Sequence, residues 1–139
     1  MNPIAPVLLI SPDGMLGRAW AALLRERGVD FTGVSFQELD MRNEASVKQH
    51  VRDEYRTVIN CAAYTDVDGA ETHEAEAAAI NAEGVAYLAA CCEKSGALLV
   101  HYSTDYVFDG RASTPYAVDH PRDPQNAYGR SKAQGEQVI

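Results

Sequence analysis

The stretch Val7-Leu8-Leu9-Ile10-Ser11-Pro12-Asp13-Gly14-Met15-Leu16-Gly17 decides the fold. Four consecutive apolar strand formers read as a short β-strand buried on both faces, as in the interior of a parallel sheet. Ser11-Pro12-Asp13-Gly14 is a turn. Beyond it Leu16, Ala19, Trp20, Leu23 and Leu24 recur at helical spacing, with Arg25, Glu26 and Arg27 solvated at the end and Gly28 as the stop. A helix that starts directly after a buried strand presents unpaired N–H groups and a partial positive charge, which suit a pyrophosphate. Gly14 lets the backbone approach phosphate and Gly17 lets the helix pack tightly on the sheet, with Met15 and Leu16 between them. The position where such a turn carries its first glycine is Ser11. If that residue needs positive φ, serine costs about 1–2 kcal/mol relative to glycine.

Outward from this unit the pattern repeats. Phe31 to Ser35 suits a second strand, and Val47, Val51 and Tyr55 mark one face of a second helix. Thr57 to Asn60 is a third strand. A long alanine-rich helix from about Glu74 to Lys94 places Ala78, Ala82, Val85, Ala89 and Cys92 on one stripe and ends at Gly96. Leu98 to Tyr102 is a fourth strand. Strands alternating with helices predict an α/β fold, a doubly wound parallel sheet of Rossmann-like type with helices on both faces. Ligands of such sheets sit outside the C-terminal strand ends. There the chain carries Asp40 and Met41, then Cys61-Ala62-Ala63-Tyr64-Thr65, then Ser103-Thr104-Asp105. Ser103 to Gln125 holds prolines and no sustained periodicity, so a functional or mobile loop is expected. Helical character resumes near Tyr128 and is expected to run to Ile139. Within it Tyr128 and Lys132, four apart, project together, and a nearby ammonium lowers a phenol's pKa toward a usable range.

Composition narrows the function classes. The chain has 139 residues, 46% hydrophobic and 23% charged, which predicts one globular domain with a buried core. A net charge of −8 disfavours nucleic acid and anionic membrane as partners. No apolar run approaches the roughly 20 residues of a membrane helix and no signal peptide is visible, so a cytoplasmic location is expected. Cys61, Cys91 and Cys92 imply no disulfide framework. His50, His73, His101 and His120 are scattered, without the spacing of a metal site.

Several segments together resemble the extended short-chain dehydrogenase/reductases, and within them the dTDP-4-dehydrorhamnose reductases. They are Asp13 to Arg18, Leu39-Asp40, Val58 to Thr65, Asn81, Ser103-Thr104-Asp105-Tyr106-Val107-Phe108-Asp109-Gly110, and Asn126 to Lys132 with Gly135-Glu136. The resemblance implies hydride transfer from NADH or NADPH to the C4 ketone of a nucleotide-linked 4-keto-6-deoxy sugar. Tyr128 would protonate the forming alkoxide, Lys132 would hold the nicotinamide ribose, and Thr104 would hydrogen-bond the reacting oxygen or the phenol. Gly14, Met15, Leu16 and Gly17 would cradle the pyrophosphate, and Asp40 and Met41 would lie near the adenine. Ala62, Ala63, Tyr64, Thr65 and Ser103 would line the nicotinamide path, with Asp105 and Tyr106 as sugar contacts. Phe36 stands where relatives often carry an arginine, which leans toward NADH, although Arg18 could supply a charge. Tyr106 after Asp105 replaces the Asp-Glu pair typical of sugar dehydratases and disfavours that chemistry. A related epimerase, or a non-catalytic nucleotide-binding or regulatory module on the same scaffold, is the alternative. Relatives commonly act as homodimers and need about twice this length. Residues 1–139 therefore read as the NAD(P)-binding domain, C-terminally incomplete and without the substrate lobe, so that turnover by this chain alone is not expected.

Overall fold

The computed structural model describes residues 3–139. Strand β1 (Val7–Ile10) is followed by helix α1 (Met15–Glu26), β2 (Phe31–Val34), α2 (Glu44–His50) and β3 (Thr57–Asn60). Then come α3 (Glu74–Ala78), a π-helical segment (Ala79–Glu83), α4 (Gly84–Ser95), β4 (Leu98–His101) and α5 (Ala127–Gln137). The four strands form one parallel sheet in the order β2-β1-β3-β4. Because side chains alternate along a strand, each face of the sheet builds its own core. Leu8, Ile10 and Val58 face Val47, Leu88 and Cys92 of α2 and α4, whereas Val7, Leu9 and Ile59 face Ala21 and Leu24 of α1. The doubly wound parallel architecture expected from the alternation is present.

Four local readings change. On α1 the buried face is Gly17, Ala21 and Leu24, while Leu16 and Leu23 are exposed. The leucine stripe is not the packed one, because small residues let this helix lie close to the sheet. Helix α2 stops at His50; Val51 turns to extended geometry (ψ 90°), and Tyr55 is buried from the connection rather than from a helix. The alanine-rich helix is interrupted by the π segment, which adds a residue to its turn and shifts the inward stripe to Ala77, Ile80, Asn81, Val85, Leu88 and Cys92. It still ends at Gly96. The last helix ends at Gln137, short of the expected Ile139. Between β4 and α5, one 3₁₀ turn at Asp105–Val107 leads into an irregular loop. That loop packs on itself: the Phe108 and Tyr116 rings stack at 4.4 Å, with the His120 ring edge against Tyr116 at 4.8 Å.

Candidate functional site

The C-terminal end of β1 opens into a groove of about 460 Å³. Its floor is Ser11 and Gly14, its walls Leu16 and Phe36 on one side and Ala62, Ala63 and Thr65 on the other. Ser11 has φ 58°, the left-handed region, so the position where glycine was expected does require that conformation, and serine occupies it at a cost of about 1–2 kcal/mol. Gly17 is set by close approach: a Cβ there would lie 1.9 Å from the Ser11 carbonyl oxygen. Helix α1 starts from Gly14, whose main chain is extended, with no side-chain cap and no acidic residue in the first turn. Its leading N–H groups are thus left to a ligand, and the positive end of the helix is not offset. The donor set and the open space above Gly14 fit a pyrophosphate. Cys61 also lines the groove; burial pushes its thiol up to about 11, so it stays protonated and apolar in character.

Asp40 is half exposed and gripped by Arg42, with Nε to Oδ1 at 2.9 Å and a second contact at 3.0 Å. Met41 requires a correction: the whole residue is 0% exposed, with both its carbonyl and its side chain packed against Gly84 in the core, so it presents no surface to an adenine. No basic residue lies beside Phe36 in the stretch Ser35-Phe36-Gln37-Glu38. The structure places the Arg42 guanidinium 6.0 Å from that ring, also paired with Glu76 at 3.3 Å.

The second part of the site lies where β4 meets α5. Thr104 follows the strand, its hydroxyl accepting from Tyr106 N–H at 3.3 Å. The Tyr106 ring meets Tyr128 edge-on at 5.6 Å. Burial pushes the Tyr128 phenol above its ordinary pKa, and a hydrogen bond with the Thr104 side chain works against that rise. Lys132 is 3% exposed, and its ammonium donates to the Tyr102 carbonyl at 2.6 Å. The expected lowering of the tyrosine by the lysine is therefore not the state seen here. The lysine charge is spent on a strand-end carbonyl, and burial governs the phenol. Asp105 accepts from Thr104 at 3.2 Å, and the Ser103 hydroxyl is taken up by Glu136. Gly14, Met15, Leu16, Ala62, Ala63 and Thr65 thus share one groove, and Thr104, Asp105, Tyr106, Tyr128 and Lys132 share one strand-end cluster. Tyr64 packs with Tyr128 around Ala70, Ala77 and Ala127.

Asn81 holds these parts together and escaped sequence reading as a site residue. Buried in the π segment, it accepts from Tyr64 N–H at 2.9 Å and donates to the Tyr64 carbonyl and the Ser131 hydroxyl, both at 3.0 Å. Gly135 admits the Asn81 carbonyl, which a Cβ there would meet at 2.2 Å. Asn81→Ala leaves the Tyr64 N–H and carbonyl without this partner, while Ser131 keeps its bond to the Tyr128 carbonyl, and is expected to cost about 2–3 kcal/mol. Urea unfolding measures this; a loss under about 0.5 kcal/mol, the range of ordinary surface changes, contradicts the bridging role.

His101 has a similar hidden position. Its Nδ1 lies 3.1 Å from Asn60 Nδ2, which donates to it, so the ring proton sits on Nε2, buried and without a partner. Burial, helped by the Lys132 charge, lowers its pKa to about 4. A histidine held neutral in the fold binds fewer protons than in the unfolded chain. Its contribution is complete above about 6.5 and is lost as pH falls toward about 4, here about 2 kcal/mol after allowance for partial exposure. His101→Gln is expected to flatten the stability profile between those limits, as read by thermal unfolding at several pH values; an unchanged slope contradicts the assignment.

A parallel nucleotide-binding sheet with a glycine turn under α1 and a Thr–Tyr–Lys cluster at the far strand end defines a Rossmann-like protein of the extended short-chain dehydrogenase/reductase type. Residues 5–139 match the family described as RmlD substrate binding domain, and the chain belongs to that family. It is 43% identical over 134 residues to the dTDP-4-dehydrorhamnose reductase of Streptomyces griseus, covering 95% of this chain and 44% of the relative. It is 46% identical over 137 residues to a probable dTDP-4,6-dihydroxy-2-methyloxan-3-one 4-ketoreductase of Streptomyces antibioticus, covering 95% and 45%. The crystal structure of the Bacillus anthracis dTDP-4-dehydrorhamnose reductase, in complex with NADP, superposes with a TM-score of 0.91 at 37% identity, over 96% of this chain and 48% of that one. The chain spans about half the length of the curated relatives it matches. Among the described residues no helix is long and apolar enough to cross a membrane.

Proposed function

We propose that residues 1–139 are the dinucleotide-binding domain of an NAD(P)H-dependent reductase that converts the C4 ketone of dTDP-4-dehydro-6-deoxy-L-mannose to the alcohol of dTDP-L-rhamnose. The observation that carries the reading is the Tyr128 phenol, set against the Tyr106 ring beside Thr104 and Lys132 and connected through Ser131 and the Asn81 bridge to the loop that walls the groove at the end of β1. A reduced nicotinamide, when bound, supplies a hydride to C4. Tyr128, protonated through the neutral range because burial raises its pKa, gives its proton to the ketone oxygen as that oxygen gains charge. Thr104 orients the phenol. Lys132, with two ammonium protons left beside its bond to the Tyr102 carbonyl, is placed to serve the cofactor ribose. The first-turn N–H groups of α1 hold the pyrophosphate, and Asp40 lies on the adenine side. Ser103 fixes the strand end, and Asp105 and Tyr106 reach the sugar.

The negative charge supports small-molecule rather than nucleic-acid partners, and the reading includes a homodimer in the cytoplasm. The name of the Streptomyces antibioticus relative favours one second reading, reduction of a different dTDP-linked 4-keto sugar. The test is NAD(P)H oxidation, with product identification, by a protein carrying this chain at the length of its relatives. Turnover of dTDP-4-dehydro-6-deoxy-L-mannose supports the proposal, turnover of only another 4-keto sugar supports the second reading, and cofactor binding without turnover of either contradicts both.

A further inference from the structure

Lys132 is almost fully buried, yet among the described residues its ammonium has one polar contact, a carbonyl. One turn further along α5, on the same face, stands Glu136. Its carboxylate is held by two partners from other parts of the chain: the Ser103 hydroxyl at the end of β4 donates to Oε1, and Arg122 Nε, from the loop before α5, donates to Oε2. Ser103 adjoins Thr104, and Tyr102, whose carbonyl receives Lys132, adjoins Ser103. We propose that Glu136 is a positioning residue for Lys132: a fixed counter-charge, clamped by Ser103 and Arg122, that keeps the buried lysine cationic and tied to the end of β4. The importance of this for catalysis rests on the function proposed above; the charge coupling itself does not.

The charges around the lysine agree. Tyr128 and Glu136 flank it on α5, the His101 ring faces it from β4 and the Tyr102 carbonyl from the residue just after that strand, and Arg122 reaches it only through Glu136. His101 is neutral at working pH, so Glu136 is the group that opposes burial. Burial lowers the Lys132 pKa and the Glu136 charge raises it. For Glu136 burial alone would raise the pKa, but Ser103 and Arg122 outweigh it and keep the carboxylate ionised.

A clamp that works by charge and one that works only by bracing the loop predict opposite signs in one pair of variants. The chain has three lysines, Lys48, Lys94 and Lys132, so [13Cε]lysine NMR resolves each titration, with Lys132 assigned by its loss in Lys132→Met. Glu136→Gln keeps the shape and removes the charge; it is expected to lower the Lys132 midpoint by about half a pH unit or more. Arg122→Ala frees the carboxylate from a competing cation and is expected to leave the midpoint unchanged or raise it. Glu136→Asp should restore part of the shift. A Lys132 midpoint unmoved by Glu136→Gln, or lowered equally by both substitutions, overturns the proposal. Neither readout needs the sugar or turnover, so a failed reductase assay and a failed clamp are separate results.

Discussion

In a protein carrying this chain at the length of its relatives, Tyr128→Phe is expected to lower kcat for the proposed 4-keto sugar by about 10²–10⁴-fold, the usual worth of a positioned proton donor, with little change in NAD(P)H affinity. Phenylalanine keeps the edge contact with Tyr106 at 5.6 Å and the packing on Ala127, so the substitution removes the hydroxyl and leaves the fold. The loss therefore belongs in kcat rather than in cofactor binding. Since burial raises the phenol's pKa, wild-type turnover should also hold level through neutral pH and fall only on the alkaline side, as the donor is lost. Steady-state kinetics over pH checks both points. A fall of less than about tenfold would place the proton donor elsewhere, because a positioned donor contributes more than that.

Gly17→Ala is expected to destabilise the chain by about 2–4 kcal/mol, and to abolish dinucleotide binding, although alanine is the better helix former by about 1 kcal/mol. The sign is decided by what the methyl meets: the Ser11 carbonyl oxygen at 1.9 Å and Pro12 Cα at 2.8 Å. Both are backbone, and the turn is already fixed by Ser11 N–H to the Val34 carbonyl at 2.9 Å. To admit the methyl, α1 must lift from the sheet, carrying its leading N–H groups away from the groove. Urea unfolding and calorimetric titration with NADH measure the two effects; a variant as stable as the parent with unchanged affinity contradicts the packing argument.

The strand-turn-helix start, the alternation and the Tyr128 and Lys132 spacing were legible because each depends on near neighbours in sequence. Val7 to Ile10 had to be buried on two faces, and a helix had to begin after the turn. Other features depended on distances that no local pattern encodes. Leu16 and Leu23 outscore Gly17 and Ala21 in hydrophobicity, yet the helix packs through its small residues because the Ser11 turn comes so near. The π segment slides Asn81 inward and connects Tyr64 to Ser131; a smooth helical wheel hides this. Met41 sits beside an acidic residue at a strand end, which suggested a ligand contact, but its side chain fills the space over Gly84. The partners of Lys132 and Glu136 come from β4 and from the loop before α5, brought together only by the fold. One signal could have exposed Glu136 earlier: its four-residue spacing from Lys132, the same argument used for Tyr128.

The proposed reductase needs its dinucleotide site within these 139 residues. Calorimetric titration of the 139-residue chain with NADH and with NADPH, joined to amide hydrogen exchange, tests that most directly. Saturable one-to-one binding of at least one of them is predicted, with exchange slowed at Met15 to Gly17 and at Ala62 to Thr65. No binding of either cofactor, or binding that leaves those amides unchanged, would contradict it.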